Sequence, residues 1–200
     1  MSNPISEIAG RIAELERELE LKLEEEFAEK QRQFLYTVEK GRVAFDCGMC
    51  VLHGRLRKNW ISYLWAMPRY SLLVSPVIYS LAVPLLLLDA WLWLYQALCF
   101  PVYGIEKVER SQYILLDRGH LRYLNWLERF NCDYCGYANG LIAYAREVSS
   151  RTEQYFCPIK HASRCVGPHS RYHEFADFGD AQAYREIQTA RVGAVRSEIR

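Results

Sequence analysis

Apolar residues along this chain fall into three regimes. Ile5, Ile8, Ile12, Leu15 and Leu19 recur at spacings of 3, 4, 3 and 4, which is the seam of an amphipathic helix. From Ser71 to Gly104 polarity almost vanishes: 34 residues hold one carboxylate, Asp89, and no Lys or Arg. After Ile105 the pattern is mixed again. Leu121, Leu124, Leu127 and Phe130 share one helical face, and Leu141, Ile142, Ala145 and Val148 share another. Only Tyr113 to Leu116 reads as a strand. The pattern predicts a mainly α, membrane-anchored helical protein with a small cysteine-rich helical C-terminal module.

The first helix is predicted to begin at Asn3-Pro4, a capping residue followed by proline in the first turn. Its apolar positions continue as Leu23, Phe27, Phe34 and Val38, one residue out of phase, as in a stutter. Gly41 is the expected stop. Between Glu7 and Arg32 there are nine acids and five bases. Two arrangements fit: a solvated helix folded back on the chain, or a coiled coil with a second copy or a partner protein.

Eighteen or more nearly uncharged apolar residues mark a membrane segment, because about 20 helical residues cross a hydrocarbon layer of about 30 Å. The 71–104 block admits a single helix from about Leu72 to Leu88, a longer tilted helix, or a hairpin turning near Pro84. Asp89 at mid-bilayer costs about 2.5–3.5 kcal/mol, so it belongs near an interface or against protein. Arg55, Arg57, Lys58 and Arg69 precede the block, and Lys107, Arg110, Arg118 and Arg122 follow it. This balance leaves orientation open. Trp60, Tyr63 and Trp65 suit the interface before the block. The expected division is 1–40, amphipathic helix; 41–70, juxtamembrane segment; 71–104, membrane segment; 105–166, cysteine-rich module; 167–200, polar tail with a weak helix capped by Asp180.

The 200 residues carry a net charge of +1, which gives no electrostatic case for nucleic acid. The N-terminus lacks the basic and apolar regions of a signal peptide, so a cytosolic N-terminus is expected.

Seven cysteines change the picture most. Cys132-x2-Cys135-x21-Cys157-x3-His161 has metal-ligand spacing, with Cys135 expected in a tight knuckle and Cys157-Pro158 expected to open a short helix. Two thiolates in a C-x-x-C loop and a second pair one helical turn apart can close a tetrahedron around zinc. Cys165 is the alternative fourth ligand. Cys47 and Cys50 form another C-x-x-C and could share an ion with Cys132 and Cys135 if both loops lie on one side of the membrane. Zinc is the expected ion. Iron or an Fe–S centre is the alternative, as is a reactive dithiol, with Cys135 activated near a helix N-terminus. Cysteines packed as small apolar core residues are the plainer reading.

Other polar candidates are sparse. His120, Glu128, Glu147 and Glu153 fall near the cysteines, while His169 and His173 fall in the polar tail and are expected to be solvated. No Glu-x-x-His pair, G-x-S-x-G, P-loop, G-x-G-x-x-G or H-E-x-x-H occurs, which argues against the common hydrolase, nucleotide and zinc-protease classes. A membrane enzyme acting through Asp89 or His120 would rest on single residues.

The stretch NCDYCGYANGLIAYAREVSSRTEQYFCPIKHA, Asn131 to Ala162, and the preceding LLLLDAWLWLYQALCFPVYGI resemble a group of uncharacterised bacterial membrane-associated proteins. The resemblance spans about Ser71 to His173. It implies a bacterial source and the cytoplasmic membrane, and it transfers no catalytic residue. Cys47 and Cys50 fall outside it. The function expected is a membrane-anchored, metal-binding interaction or assembly module without catalytic activity. The alternative is a membrane-associated redox protein.

Overall fold

The computed structural model describes residues 4–39 and 42–198. The protein is mainly helical and divides into two compact units. One comprises Met1–Tyr63 and Asp117–Arg129; the other comprises Leu64–Leu116 and Phe130–Arg200.

In the first unit, α1 spans Pro4–Gln33; the expected cap, Asn3, lies outside the described residues. The helix stops short of the expected end because residues 36–45 alternate rather than keep helical period. Strands β1 (Tyr36–Glu39) and β2 (Arg42–Phe45) pair antiparallel, with Tyr36 opposite Phe45 and Val38 opposite Val43. Gly41 lies outside the described residues. Leu35 makes the turn from helix to strand with a positive φ of 48°, a conformation that L-residues adopt at a cost. Asp46 then caps α2, Cys47–Leu56, by accepting from the Gly48 amide at 2.9 Å. Helix α3 is Trp60–Ala66.

In the second unit, α4 (Arg69–Ser80) and α5 (Ala82–Tyr103) are joined by Leu81, whose own backbone is helical at φ −61°, ψ −19°. Pro84 sits in the first turn of α5, where it removes no helical hydrogen bond, so the chain makes no hairpin there. Gly104 ends α5 with φ +64°, and the amide of Ile105 closes back onto the Phe100 carbonyl at 2.9 Å, a glycine-dependent helix stop. An irregular segment follows. The expected strand at 113–116 does not form: Ile114 is buried in the core while Leu115 and Leu116 stay exposed.

Helix α6 is Trp126–Phe156. It replaces the two expected helices and absorbs the expected Cys132–Cys135 knuckle. Its start is not Asp117, which precedes only a 3₁₀ turn at Arg118–His120. Asn125 caps it instead. The Asn125 side chain accepts from the Leu127 and Glu128 amides at 3.0 Å each, and Glu128 accepts from the Asn125 amide at 3.0 Å, a reciprocal capping box. Beyond α6, Pro158–Lys160 forms a bridge to Ala176, so no helix begins at Cys157. A 3₁₀ turn covers Ser170–Glu174. Helix α7 is Ala181–Glu198, capped as expected by Asp180, which accepts from the Ala183 amide at 2.9 Å.

Helices α5 and α6 run in the same direction. Tyr79 meets Asn131, Asp89 meets Tyr137, Gln96 meets Tyr144, and Tyr103 meets Phe156, in that order. Leu85, Leu92 and Phe100 from α5, Val108 and Ile114 from the return segment, and Leu141, Tyr144 and Val148 from α6 form the core. Gly140 is where the return segment crosses α6. A Cβ there would stand 2.5 Å from the Tyr113 carbonyl oxygen and 3.0 Å from Ile114 Cα.

Candidate functional site

The most unusual surface belongs to α4 and α5. The stretch Arg69–Tyr103 is the one helical run among the described residues long and apolar enough to cross a membrane: 35 residues, mean hydropathy 2.1 in its most apolar window, only 6% of that window buried. A core helix of this composition would be mostly covered. Here Leu73, Val77, Leu87, Trp91, Trp93, Leu98 and Val102 are all at least 62% exposed.

The polar side chains of α5 are turned inward. Gln96 is buried; it accepts from the Val108 amide at 2.7 Å and donates to the Tyr144 hydroxyl. Asp89 takes both guanidinium arms of Arg110, at 3.0 and 2.6 Å, and the Tyr137 hydroxyl at 2.9 Å. Tyr95 bonds Thr152 at 3.2 Å, and Tyr134 donates to the Ile78 carbonyl at 2.6 Å. Burial, then the bond to the Asp89 carboxylate, raises the Tyr137 hydroxyl above the ordinary phenol range. Asp89 is therefore a structural partner satisfied on all sides, which removes it as a free catalytic carboxylate.

The outward side of α6 is mixed, with polar residues beside the exposed Ile142 and Ala143. Asn139, Arg146, Ser149 and Cys135 are exposed. At its C-terminal half, Glu147 is flanked by Arg151 at 2.9 Å and Arg171 at 2.8 Å, and Ser150 is buried beside them. Burial alone would raise the Glu147 carboxyl, but the hydrogen bonds from Arg171 and Arg151 outweigh it and hold it below the usual carboxylate range. Arg151 also reaches the Glu106 carbonyl at 2.7 Å. His169, expected in solvent, is enclosed instead: it meets Glu153 at 3.1 Å and packs against the Tyr172 and Phe175 rings. His173 is exposed, as is His120, whose ring nitrogen sits 2.9 Å from the Asp117 carbonyl.

The cysteine set is not assembled. Cys132 and Cys135 lie on α6, while Cys157 follows its last residue. The 22 positions from Cys135 to Cys157 correspond to about 33 Å of helix at about 1.5 Å per residue, far beyond the span of one ion. His161 is in an irregular segment with its ring stacked on Tyr172, and Cys157 and Cys165 are both exposed. Cys47 and Cys50 belong to the other unit, at the start of α2. All seven thiols are free, and among the described residues no group of three or more His, Cys, Asp or Glu is placed to hold a metal ion. The residues expected to hold zinc, and the iron–thiolate alternative built on the same ligands, are not brought together as one set among the described residues. Cys135 lies well inside α6 rather than at an N-terminus, so the helix-dipole case for a reactive thiol lapses with it.

The first unit holds a separate cleft of about 700 Å³, lined among others by Tyr36, Phe45, Met49, His53 and Tyr123. His53 is buried between the Phe45 and Tyr123 rings, and its Nδ1 has no hydrogen-bond partner among the described residues. In the sequence His53 stands three residues after Cys50. The alternating Tyr36, Val43 and Phe45 were the signal that apolar walls surround it.

On the first helix, Ile8, Ile12, Leu15, Leu19, Leu23 and Phe27 are 43–62% exposed. Its seam is uncovered along its described length.

No family model matches the chain, and neither does any curated protein or solved structure.

Proposed function

We propose that this protein is a membrane-attached interaction or assembly module without catalytic activity of its own, held at the bacterial cytoplasmic membrane with its N-terminus in the cytosol. The observation that carries the reading is the apolar run of α4 and α5, of which only 6% of the most apolar window is buried; contiguous exposed apolar surface of this kind marks an interaction or membrane site. The helix pair and its internal hydrogen bonds support a defined module. The assembly half rests on α1, whose uncovered seam suits a second helix from another copy or a partner protein. The bacterial membrane assignment rests on the resemblance of the 71–173 region.

Fractionation of cells producing the full chain tests the attachment. The protein is expected in the membrane pellet, resistant to high salt. A Leu87→Glu, Leu94→Glu, Leu98→Glu variant is expected to move at least tenfold toward the soluble fraction. A wild-type chain found soluble would remove the membrane reading. For α1, Leu15→Glu with Leu19→Glu is expected to reduce the detergent-solubilised mass to one chain or release the partner. An unchanged mass would remove the assembly half.

A further inference from the structure

We propose that α4 and α5 lie in the plane of a single membrane leaflet, with α6 as a water-facing cover, rather than spanning the bilayer. This rests on the membrane attachment proposed above and specifies its geometry and its lipid partner.

The helix pair itself argues against a span. Because α5 and α6 run in the same direction, the chain must return the whole length of α5 before α6 begins. The return is not helical. From 108 to 114 it stays against the pair: the Val108 amide meets Gln96, Arg110 meets Asp89, and Tyr113 and Ile114 cross Gly140. It also carries Glu106, Lys107, Glu109 and Arg110. If α5 crossed the bilayer, this irregular charged segment would lie at hydrocarbon depth beside it, and so would the outward Arg146 and the Glu147–Arg151–Arg171 cluster. Lipid-exposed irregular backbone does not occur at that depth. The α4–α5 run is also too long for an upright crossing: 35 residues extend about 52 Å against a hydrocarbon thickness of about 30 Å.

Lying flat satisfies every group. Buried Leu85, Leu92, Gln96 and Phe100 place one side of α5 against protein. At about 100° per residue, the remaining arc is about two-thirds of the circumference, and it carries no Asp, Glu, Lys, Arg or His. An arc that wide exceeds what a single docked helix covers, whereas acyl chains flow around it. Exposed Arg69 stands at one end of the run and exposed Lys107 follows the other, where lipid phosphates would meet them. This is the distribution of an interfacial helix: apolar toward the acyl chains, charge toward the headgroups and water.

Depth measurement tests the orientation. Spin labels are placed one at a time at Val83→Cys, Leu87→Cys, Leu94→Cys, Leu98→Cys and Val102→Cys, all exposed positions near one side of α5, in the full chain with native cysteines replaced by Ser. The chain is bound to phosphatidylcholine–phosphatidylglycerol vesicles, and circular dichroism checks the fold. Flat seating predicts depths that agree within a few Å. A span predicts a graded profile covering up to about 28 Å from 83 to 102. Brominated-lipid quenching of Trp91 and Trp93 in the unmodified chain, against Trp91→Phe with Trp93→Phe, repeats the measurement without replacing cysteines; flat seating predicts shallow quenching. A graded profile through the bilayer centre, with vesicle flotation intact, overturns the in-plane geometry and leaves membrane attachment standing. No lipid contact and no flotation overturns both. A doubled mass with the labels shielded from lipid makes a second copy the occupant and overturns the proposal.

Discussion

α1 and α5 both leave apolar side chains uncovered, but in opposite ways. On α1 a narrow stripe of Ile and Leu runs between charged flanks, with pairs such as Glu18 and Lys22 at 2.6 Å on the surface. On α5 the order is inverted: Asp89 and Gln96 face protein, and leucines and tryptophans face out. A stripe two positions wide fits another helix, where burial of each Leu contributes about 1.5–3 kcal/mol. A surface that is apolar over most of its circumference fits a fluid. Moving one Arg of the α6 side into hydrocarbon would cost about 2.5–3.5 kcal/mol, so charge on the cover and its absence on α5 are two sides of one constraint. The width of the apolar arc and the location of the polar side chains, rather than hydropathy alone, separate a protein-facing helix from a lipid-facing one.

The inverted arrangement of α5 depends on close contact with the return segment and α6, and substitutions there should hurt most. Gly140→Ala forces a Cβ against the Tyr113 carbonyl at 2.5 Å; backbone on the other side leaves little room to yield, and a loss of about 2–3 kcal/mol is expected. Denaturant unfolding in detergent measures it, and an unchanged midpoint would contradict the crossing. Gln96→Leu should cost about 2 kcal/mol, because the Val108 amide and the Tyr144 hydroxyl lose a buried partner, even though the helix becomes more apolar. If this variant were instead more stable, the inward polar side chains would not be what holds α5 to its cover.

Acid should loosen the cover through Glu147. Its carboxyl is held below the ordinary range in the folded state, so its contribution is complete above the unfolded carboxylate range and is lost as pH falls below about 4. Glu147→Gln should lower stability at neutral pH by about 1 kcal/mol, since the cluster is partly solvated, and should flatten the melting temperature between pH 5 and 3. A variant that keeps the full acid dependence would assign it elsewhere. The smallest effect belongs to the first unit: Leu35→Gly relieves a positive φ of 48° and should stabilise by about 0.5–1 kcal/mol, measured as a raised melting temperature of that unit.

The regular periods were legible in the sequence. The 3–4 spacing from Ile5 to Leu19 gave α1, and the uncharged 71–104 block gave α4 and α5. The end of α1 was not, because Phe34 and Val38 continue its period by coincidence while pairing of Tyr36 with Phe45 and Val38 with Val43 decides the structure. α6 was hidden by its own composition: Cys132-x-x-Cys135-Gly136 reads as a tight knuckle, yet packing overrides that weak preference. Its true start was readable in Asn125-x-x-Glu128. The expected ligand set is dispersed for the same reason. Cysteines 22 positions apart are neighbours only if the chain turns between them, and α6 does not turn. The orientation of Asp89 and Gln96 depends on a return segment that no local period describes.

The parallel run of α5 and α6 also sets a schedule. Asp89 and Tyr137 are 48 positions apart, as are Gln96 and Tyr144. At about 5–20 residues per second of synthesis, each of these side chains of α5 exists for about 2–10 s before its α6 partner has been made. During that interval the newborn helix has its greasy side ready and its other side unfinished.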